Sequence, residues 1–486
     1  MAGDAPLRTG AAEPFNDQTV LRRARALAAS EYTPRPTIPP EWQDMEYDTY
    51  RQIWFDTRNA LWAGSGGPVE VDVFPPGLYF PRAVEIHTVS DNMAAPVLFD
   101  MEAFDHTDQF PDLPLNDAMG YSGLRLRGDL LRDGKYTEYA VFQGASYFRG
   151  IGTGETYGLS ARGLAIKTGD PMGEEFPDFT AFWIEKPGRT DAAVVVHALM
   201  DSPSCTGAYR FEITPGERLR MEIDATIFAR EALDNIGIAP LTSMFLFDAT
   251  MRDRFSDFRP NVHDSDGLLI HNGAGEVLWR PLANPRTLQI SAFADTSPKG
   301  FGLMQRKRDF GAFNDLEALY HNRPSAWITP RGDWGAGAVT LVEIPADLEI
   351  YDNIVAFWQP ATPIPAGGEQ RLRYALDWAA DPAPATPLLP VLRSAMGGRM
   401  EGGLVIVIDF ENGDAMPEDM DAIEVTLRNS HGRIAAPILQ RNPETNGPRL
   451  AFTFHPDDAA FAEFRAQLRV GDAPLSEIWL YRWTPA

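Results

Sequence analysis

The chain holds a single cysteine, Cys205, so it can form no internal disulfide and no cysteine-based metal cage. It also lacks any run of about 18 apolar residues, so we do not expect it to span a membrane. Positive charge is scarce, because 43 Lys and Arg face 68 Asp and Glu, and the net charge is −25. This charge disfavours nucleic acid and anionic membrane surfaces as partners, whereas a neutral ligand is compatible with it.

The first residues carry no recognisable secretion signal, because neither a basic stretch nor an apolar core precedes Phe15. They are small, polar and aperiodic, so we predict disorder for residues 1–15. Such a start fits a cytosolic chain, and it equally fits a mature chain whose signal has been removed. A length of 486 residues exceeds what one compact core usually holds, so two domains are expected.

Alternation of apolar and polar residues is the dominant pattern beyond Tyr50. It is unbroken in Leu219–Ile227 and recurs in Val69–Val73, which is typical of half-buried antiparallel strands. An amphipathic helix is predicted earlier, over Val20–Ala28. No comparable helices separate the strands, which argues against a parallel βαβ sheet. The pattern, together with 41 Gly and 40 Pro for turns, predicts a mainly β protein with a large antiparallel β-sandwich.

The composition of the sequence changes near residue 381, where a stretch rich in Pro and Ala is typical of a linker. Strand-like runs follow at the spacing of an immunoglobulin-like sandwich. One short helix is also predicted at Pro456–Val470, where Phe461, Phe464 and Leu468 would share a face. The predicted division is a disordered segment at 1–15, a β-sandwich domain at 16–382, a linker at 383–394 and an immunoglobulin-like domain at 395–486.

The stretch from Tyr320 to Trp358 places aromatic rings beside charged groups. Rings stack on the faces of sugars, and carboxylates bind hydroxyls and move protons, so this composition indicates a sugar-processing cleft. The alternative is an ordinary sheet edge whose tryptophans belong to the core. We favour a core position for Trp327 and leave Trp334 open between core and ligand contact. The charged residues and rings of the stretch are Arg323, Arg331, Asp333, Glu349, Asp352, Trp327, Trp334 and Trp358.

Two acidic turns carry the candidate catalytic groups, one with Asp264 and Asp266 and one with Glu349 and Asp352. Glycoside hydrolysis requires a protonated acid at the leaving oxygen and a second carboxylate, supplied from separate parts of the chain. The alternative for each is a solvated turn carboxylate. The first turn lacks the ligand series of a calcium loop, so no metal and no cofactor are predicted.

Several longer segments occur in the order found in one known family. Through them the chain resembles the OpgG/OpgD (MdoG) family of osmoregulated periplasmic glucan biosynthesis proteins, from about Phe15 to the C-terminus. The segments are Phe142–Arg149, Tyr157–Ala165, Gly207–Phe211, Ala239–Phe245, His263–Leu268, Ser297–Gly302, Arg323–Ser325, Gly332–Gly335 and Asp352–Trp358.

This resemblance implies a fold and a cellular location. The fold is a galactose-mutarotase-like N-terminal β-sandwich with a long cleft, joined by a short linker to a C-terminal immunoglobulin-like β-sandwich. The location is the periplasm, to which the protein is exported by a signal peptide that is then cleaved. We therefore expect this chain to be the mature form.

The resemblance also implies an enzyme that acts on linear β-1,2-glucan with inversion at the anomeric carbon. By position, Asp352 matches the general acid. Asp264 matches the base, which acts through a relay of water and a substrate hydroxyl. Glu349 and Tyr320 match residues that line the site. From the same motifs Asp266, Arg323 and Trp334 complete the predicted substrate-binding set.

Three functions stay open at this point. The leading one is hydrolysis to shorter linear glucans, and the second is transglycosylation that closes a glucan ring. The third is a glucan-binding assembly factor without catalysis, which would serve a membrane glucan synthase. The expected partners are the β-1,2-glucan, that synthase and a second copy of the chain, but no nucleic acid.

Overall fold

The computed structural model describes residues 7–106, 110–400 and 402–485. The protein is mainly β, as predicted. Its α-helices in the described part are α1 (Gln18–Ala28), α2 (Pro40–Gln43) and α3 (Tyr47–Tyr50), and α1 confirms the predicted N-terminal helix. Within the described ranges no helix has the length and apolar character needed to cross a bilayer.

The strands follow one another along the chain. In chain order they are β1 (Glu13–Pro14), β2 (Trp54–Phe55), β3 (Glu70–Phe74), β4 (Glu85–Ser90), β5 (Met93–Pro96), β6 (Phe104–Asp105), β7 (Gly123–Gly128), β8 (Thr137–Gln143), β9 (Tyr147–Gly150), β10 (Ser160–Arg162), β11 (Leu164–Ile166), β12 (Asp178–Glu185), β13 (Val194–Asp201), β14 (Cys205–Thr214), β15 (Leu219–Ala229), β16 (Ile236–Ser243), β17 (Phe245–Phe247), β18 (Val262–His263), β19 (Gly267–His271), β20 (Val277–Pro281), β21 (Gln289–Thr296), β22 (Gly300–Met304), β23 (Ser325–Pro330), β24 (Ala336–Glu343), β25 (Ile354–Pro360), β26 (Glu369–Ala379), β27 (Val391–Gly398), β28 (Leu404–Phe410), β29 (Glu424–Asn429), β30 (Arg433–Arg441), β31 (Pro448–His455), β32 (Ala462–Val470), β33 (Ala473–Pro474) and β34 (Ile478–Trp483).

The chain packs into two compact units. The first comprises residues 1–240 and 359–379, and the second comprises residues 241–358 and 380–486. This grouping by packing differs from the predicted division along the sequence. The predicted linker at 383–394 stays a prediction.

The first unit is a sandwich of two sheets, as its period-two pattern predicts. One sheet has the strand order β1-β5-β4-β12-β13-β14-β15-β26, and the other has the order β3-β7-β8-β9-β10. Neighbouring strands are antiparallel except β4 and β12. The sheets pack through aromatic rings, because the Phe142 centroid lies 5.6 Å from Phe182 and 5.1 Å from Phe211. The strand predicted at Leu219–Ile227 is confirmed as β15.

The N-terminal segment is more ordered than predicted. Residues 1–6 of the predicted disordered stretch lie outside the described residues, but β1 pairs with β5 in an antiparallel register. Phe15 is buried, and its ring lies 6.1 Å from Trp183 and 5.2 Å from His197. The prediction of disorder over residues 7–15 is therefore wrong, because order there comes from distant strands and not from local periodicity.

The second unit also contains packed sheets. The strand order is β23-β22-β19-β20-β34-β32-β29 in one sheet and β27-β28-β31-β30 in another. The Phe454 ring of β31 lies 4.8 Å from the Phe464 ring of β32, so side chains of the two sheets form a common core. Strands β28 and β34 are among those that confirm the strand-like runs predicted after the linker.

The helix predicted at Pro456–Val470 is wrong, because the segment from Ala462 forms strand β32. The spacing of Phe461, Phe464 and Leu468 satisfies a helical period by coincidence. In the structure every second residue from Ala462 to Leu468 is buried, while Phe461 is exposed. A period of two therefore describes this segment.

Candidate functional site

The first acidic turn lies between β18 and β19, within the second unit. The Asp264 backbone N–H donates to the Met244 carbonyl at 2.8 Å, and the Ser243 hydroxyl donates to the Ser265 hydroxyl at 2.9 Å. The Asp264 side chain is buried and accepts a hydrogen bond from the Arg323 guanidinium. The turn thus holds one carboxylate rigidly beside a positive charge.

Tyr320 connects this carboxylate to the second acidic turn. Its hydroxyl donates to Oε2 of Glu349 at 2.9 Å, and the Arg323 guanidinium lies 4.4 Å from the centre of its ring. Burial, reinforced by the charges of Glu349 and Asp264, raises the pKa of Tyr320 well above its usual range. The hydroxyl therefore stays protonated and acts as a donor. The structure brings together four predicted site residues: Asp264, Arg323, Tyr320 and Glu349.

Arg259 is a central residue of the site, although it is not among the residues predicted from the sequence. Its Nη1 donates to Oε2 of Glu349 at 2.8 Å and to Oδ2 of Asp315 at 2.7 Å, and its Nη2 donates to Asp257 at 2.8 Å. Hydrogen bonds to Asp257, with those to Asp315 and Glu349, raise the pKa of Arg259 above its usual range. No local motif marks Arg259 or Asp315, because their link to Glu349 is formed only by the fold.

Asp266 is placed differently from the other predicted carboxylates. Its Oδ2 accepts from the backbone N–H groups of Arg306 and Lys307 at 2.6 and 3.0 Å, and the Lys307 ammonium donates to Oδ1. Burial opposes ionisation of Asp266, but the charges of Lys307 and His263 outweigh it and lower the pKa. Both carboxylate oxygens of Asp266 thus anchor the segment that follows β22. A substrate-binding role for Asp266 stays a prediction.

Asp352 lies at the exposed end of the second acidic turn, two residues before the start of β25. The next residue, Asn353, is buried and accepts from the Phe245 N–H at 2.8 Å. Its amide donates to the carbonyls of Phe245 and Ile344, each at 3.0 Å. A fixed backbone therefore presents Asp352 to solvent.

The structure separates the two predicted tryptophan roles. Trp327 is 1 % exposed, which confirms its core position. Trp334 is half-buried, and its ring lies 6.3 Å from that of Trp358 on β25. At about 3.3 Å per residue, Trp358 lies roughly 20 Å along the strand direction from Asp352. The contact with Trp358 assigns no ligand to Trp334, and its substrate-binding role stays a prediction.

The match to known proteins extends over most of the chain. A family model described as "Periplasmic glucan biosynthesis protein, MdoG" matches residues 15–483. The chain belongs to this family. The resemblance inferred from the sequence blocks is therefore confirmed.

Named relatives of the MdoG family cover almost the whole chain. "Glucans biosynthesis protein G" of Vibrio cholerae serotype O1 (strain ATCC 39541) is 48 % identical over 476 residues, which is 97 % of this chain and 87 % of that protein. The protein of the same name from Shewanella sp. (strain MR-4) is 46 % identical over 475 residues, with the same two shares. "Glucans biosynthesis protein G 1" of Shewanella oneidensis is 45 % identical over 475 residues, again with those shares.

In this MdoG-family protein, Asn353→Ala is expected to lower the free energy of unfolding by about 2–4 kcal/mol. The substitution leaves one buried N–H, one buried carbonyl and one partly buried carbonyl without their side-chain partner, and each lost bond costs about 1 kcal/mol. Urea unfolding followed by circular dichroism measures the loss. The exposed Asp347→Ala in the same loop is the control and should change stability by less than about 0.5 kcal/mol. Equal losses in both variants would contradict the anchoring role of Asn353.

The histidine of the first acidic turn predicts a pH dependence of stability. Burial lowers the pKa of His263 from 6.5 to about 3, with Lys307 adding to the effect and Asp266 opposing it. Between these values the unfolded chain binds a proton that the folded protein rejects, so protonation favours unfolding. The contribution of His263 should therefore destabilise the fold increasingly as the pH falls from about 6.5 towards 3.

Urea unfolding at several pH values across this window measures the effect. His263→Phe keeps an aromatic ring against Phe245, whose centroid lies 5.4 Å from that of His263, but removes the titrating group. The stability of this variant should depend less steeply on pH, by up to about 1.4 kcal/mol per pH unit. Parallel pH profiles for the two proteins would refute the assignment.

Proposed function

We propose that this MdoG-family protein is a periplasmic enzyme that acts on linear β-1,2-glucan by an anomer-inverting acid/base mechanism. Asp352 is the general acid, and Asp264 is the base at the far end of a relay through water and a substrate hydroxyl. The observation that supports the proposal best is the chain of contacts from Asp264 through Arg323 and Tyr320 to Glu349. It joins two acidic turns that lie far apart in the sequence.

The contacts of each carboxylate favour different roles. Asp264 is paired with Arg323, so it presents the anionic oxygen that a base requires. Glu349 accepts hydrogen bonds from Tyr320 and Arg259 on the same oxygen, and such an anchored anion suits binding of a sugar hydroxyl. Asp352 lies exposed on the same turn as Glu349, where a bound glucan can reach it. Inverting enzymes require two separated carboxyl groups, and Asp264 and Asp352 come from different turns.

The surroundings of Arg259 and Glu349 also suit a sugar. Phe258, Ile350 and Tyr351, which are the sequence neighbours of these two charged residues, are all exposed. Exposed rings next to anchored charges are the combination that binds sugar faces and sugar hydroxyls together. This arrangement supports a neutral carbohydrate as the ligand.

Incubation of the purified chain with linear β-1,2-glucan, followed by mass spectrometry of the products, tests the proposal. Shorter linear glucans establish hydrolysis. Rings, which are lighter than the linear glucan of the same length by one water, establish transglycosylation. An unchanged glucan that still binds the protein would contradict an enzymatic role and favour an assembly factor that serves a membrane synthase.

A further inference from the structure

A polar cavity lies within the second unit, and no described residue of the candidate site lines it. Its volume is about 180 Å³. Among the residues that the structure describes, four arginines and one carboxylate, Asp253, line it. In a chain with a net charge of −25, this local excess of positive charge is unusual. The four arginines are Arg252, Arg254, Arg286 and Arg482.

The positive charge of these arginines is incompletely compensated. The guanidinium of Arg252 donates to the Asp257 carbonyl at 2.7 Å, and that of Arg254 donates to the Asn284 carbonyl. Neutral carbonyls satisfy hydrogen bonds but do not cancel charge. Burial and the nearby charge of Arg286 lower the pKa of Arg254, although two carboxylates act in the opposite direction. The cavity therefore carries an electrostatic repulsion that a bound anion would relieve.

Two buried polar atoms at the same cavity have no hydrogen-bond partner among the described residues. Gln289 is 6 % exposed, and its Oε1 accepts no bond, while its Nε2 donates to the Thr484 hydroxyl at 3.3 Å. Nε of Arg482 also donates no hydrogen bond, although it forms an ion pair with Oε1 of Glu463 at 3.6 Å. Buried polar atoms without partners are rare and often indicate a missing ligand or water. One atom here requires an acceptor and the other requires a donor.

The cavity also adjoins the loop that carries the proposed acid. Asn284, which lines it, donates to the Ala346 carbonyl at 2.7 Å and accepts from the Ala346 N–H at 3.0 Å. These two bonds hold the start of the loop that leads to Glu349 and Asp352. A ligand in the cavity would therefore lie against the residue that fixes this loop.

We propose that this cavity binds a small phosphate-type anion that carries at least one hydroxyl. The anionic oxygens would accept from the arginines, whose planar guanidinium groups suit phosphate, and the hydroxyl would donate to Oε1 of Gln289. A carboxylate or a sulfate offers no such donor at neutral pH. The inference goes beyond the proposed function and does not depend on it, because anion binding requires no turnover.

Calorimetric titration of the full chain with inorganic phosphate, in a phosphate-free buffer near pH 7, tests the proposal. We expect saturable binding that weakens as NaCl is added, because salt screens the arginine charges. Sulfate should bind several-fold more weakly than phosphate. Glucose 6-phosphate compared with glucose then shows whether the site accepts the anion on a sugar, since only the former should bind there.

Variants of the lining residues make the test decisive. Arg286→Gln and Arg254→Gln should each weaken phosphate binding by about tenfold or more, which is the effect of losing one charge-assisted bond. Arg286 is exposed, so its variant is expected to fold, and circular dichroism checks both variants. Arg433→Gln, an exposed arginine that does not line the cavity, is the control and should bind phosphate unchanged. Absence of binding to the parent chain at about 10 mM phosphate, or equal binding in all three folded variants, would overturn the proposal.

Discussion

Replacement of Asp352 by Asn is expected to lower the turnover of linear β-1,2-glucan by roughly 10²-fold or more while the fold stays intact. An amide has nearly the shape of a carboxyl group, but it cannot supply the proton that the leaving oxygen requires. The side chain is exposed, and the neighbouring Asn353 fixes the backbone, so the substitution should cost little stability. Initial rates of product formation, measured with the melting temperature of each variant, test the prediction.

A matched control lies in the same loop. Asp347→Asn removes another exposed carboxylate only a few residues away and should retain close to the parental rate. If both variants lose activity together, a general change in the charge of the loop explains the loss better than general acid catalysis does. Unchanged product formation in Asp352→Asn would remove Asp352 as the acid and leave Glu349 as the nearest carboxylate on that turn.

Asp264 is a poorer first target than Asp352. Its carboxylate is buried and paired with Arg323, and removal of one partner of a buried ion pair commonly costs 3–5 kcal/mol. A loss of activity in Asp264→Asn would therefore combine lost base catalysis with lost stability. The exposed position of Asp352 separates the two effects.

Much of the fold could be predicted from local sequence because its strands are half-buried. In β15 the half-buried Arg220, Glu222 and Asp224 alternate with buried apolar residues, so the strand can be recognised in the sequence. In β32 the alternation includes Ala462 and Ala466, which are weakly hydrophobic, and Phe461 adds a misleading ring outside it. Small residues on the buried face made a helical period fit as well.

The site was less accessible to sequence reasoning than the fold. Motif position identified Asp264, Tyr320 and Glu349, which the structure joins through contacts. Arg259 could not be found in this way, since its partners Asp315 and Glu349 lie on other loops and only tertiary packing assembles them. The two acidic turns could thus be predicted from the sequence, whereas the cations that hold them in place could not.

Replacement of Trp327 by Ala is expected to lower the free energy of unfolding by about 3–5 kcal/mol, the usual cost of a large cavity in a well-packed core. The ring is 1 % exposed and meets His271 edge-on at a centroid distance of 4.8 Å. Gly300 faces it closely, because a Cβ there would lie 2.4 Å from Cζ2 of the tryptophan. Because Gly300 has no side chain, it cannot fill the void that the loss of the Trp327 ring would leave.

Trp334→Ala serves as the comparison, because its ring is only half-buried and packs against Trp358. We expect Trp334→Ala to cost less stability than Trp327→Ala, about 1–2 kcal/mol, because folding of the parent protein removes less apolar surface of Trp334 from contact with water.

If the Trp334 ring also forms a glucan subsite, KM should rise in this variant while kcat changes little, because a remote stacking contact contributes to ground-state and transition-state binding alike. An unchanged KM would assign the ring to packing alone. Urea unfolding of both variants gives the stability comparison, and a parent-like stability of Trp327→Ala would show that the surrounding core can close around the missing ring.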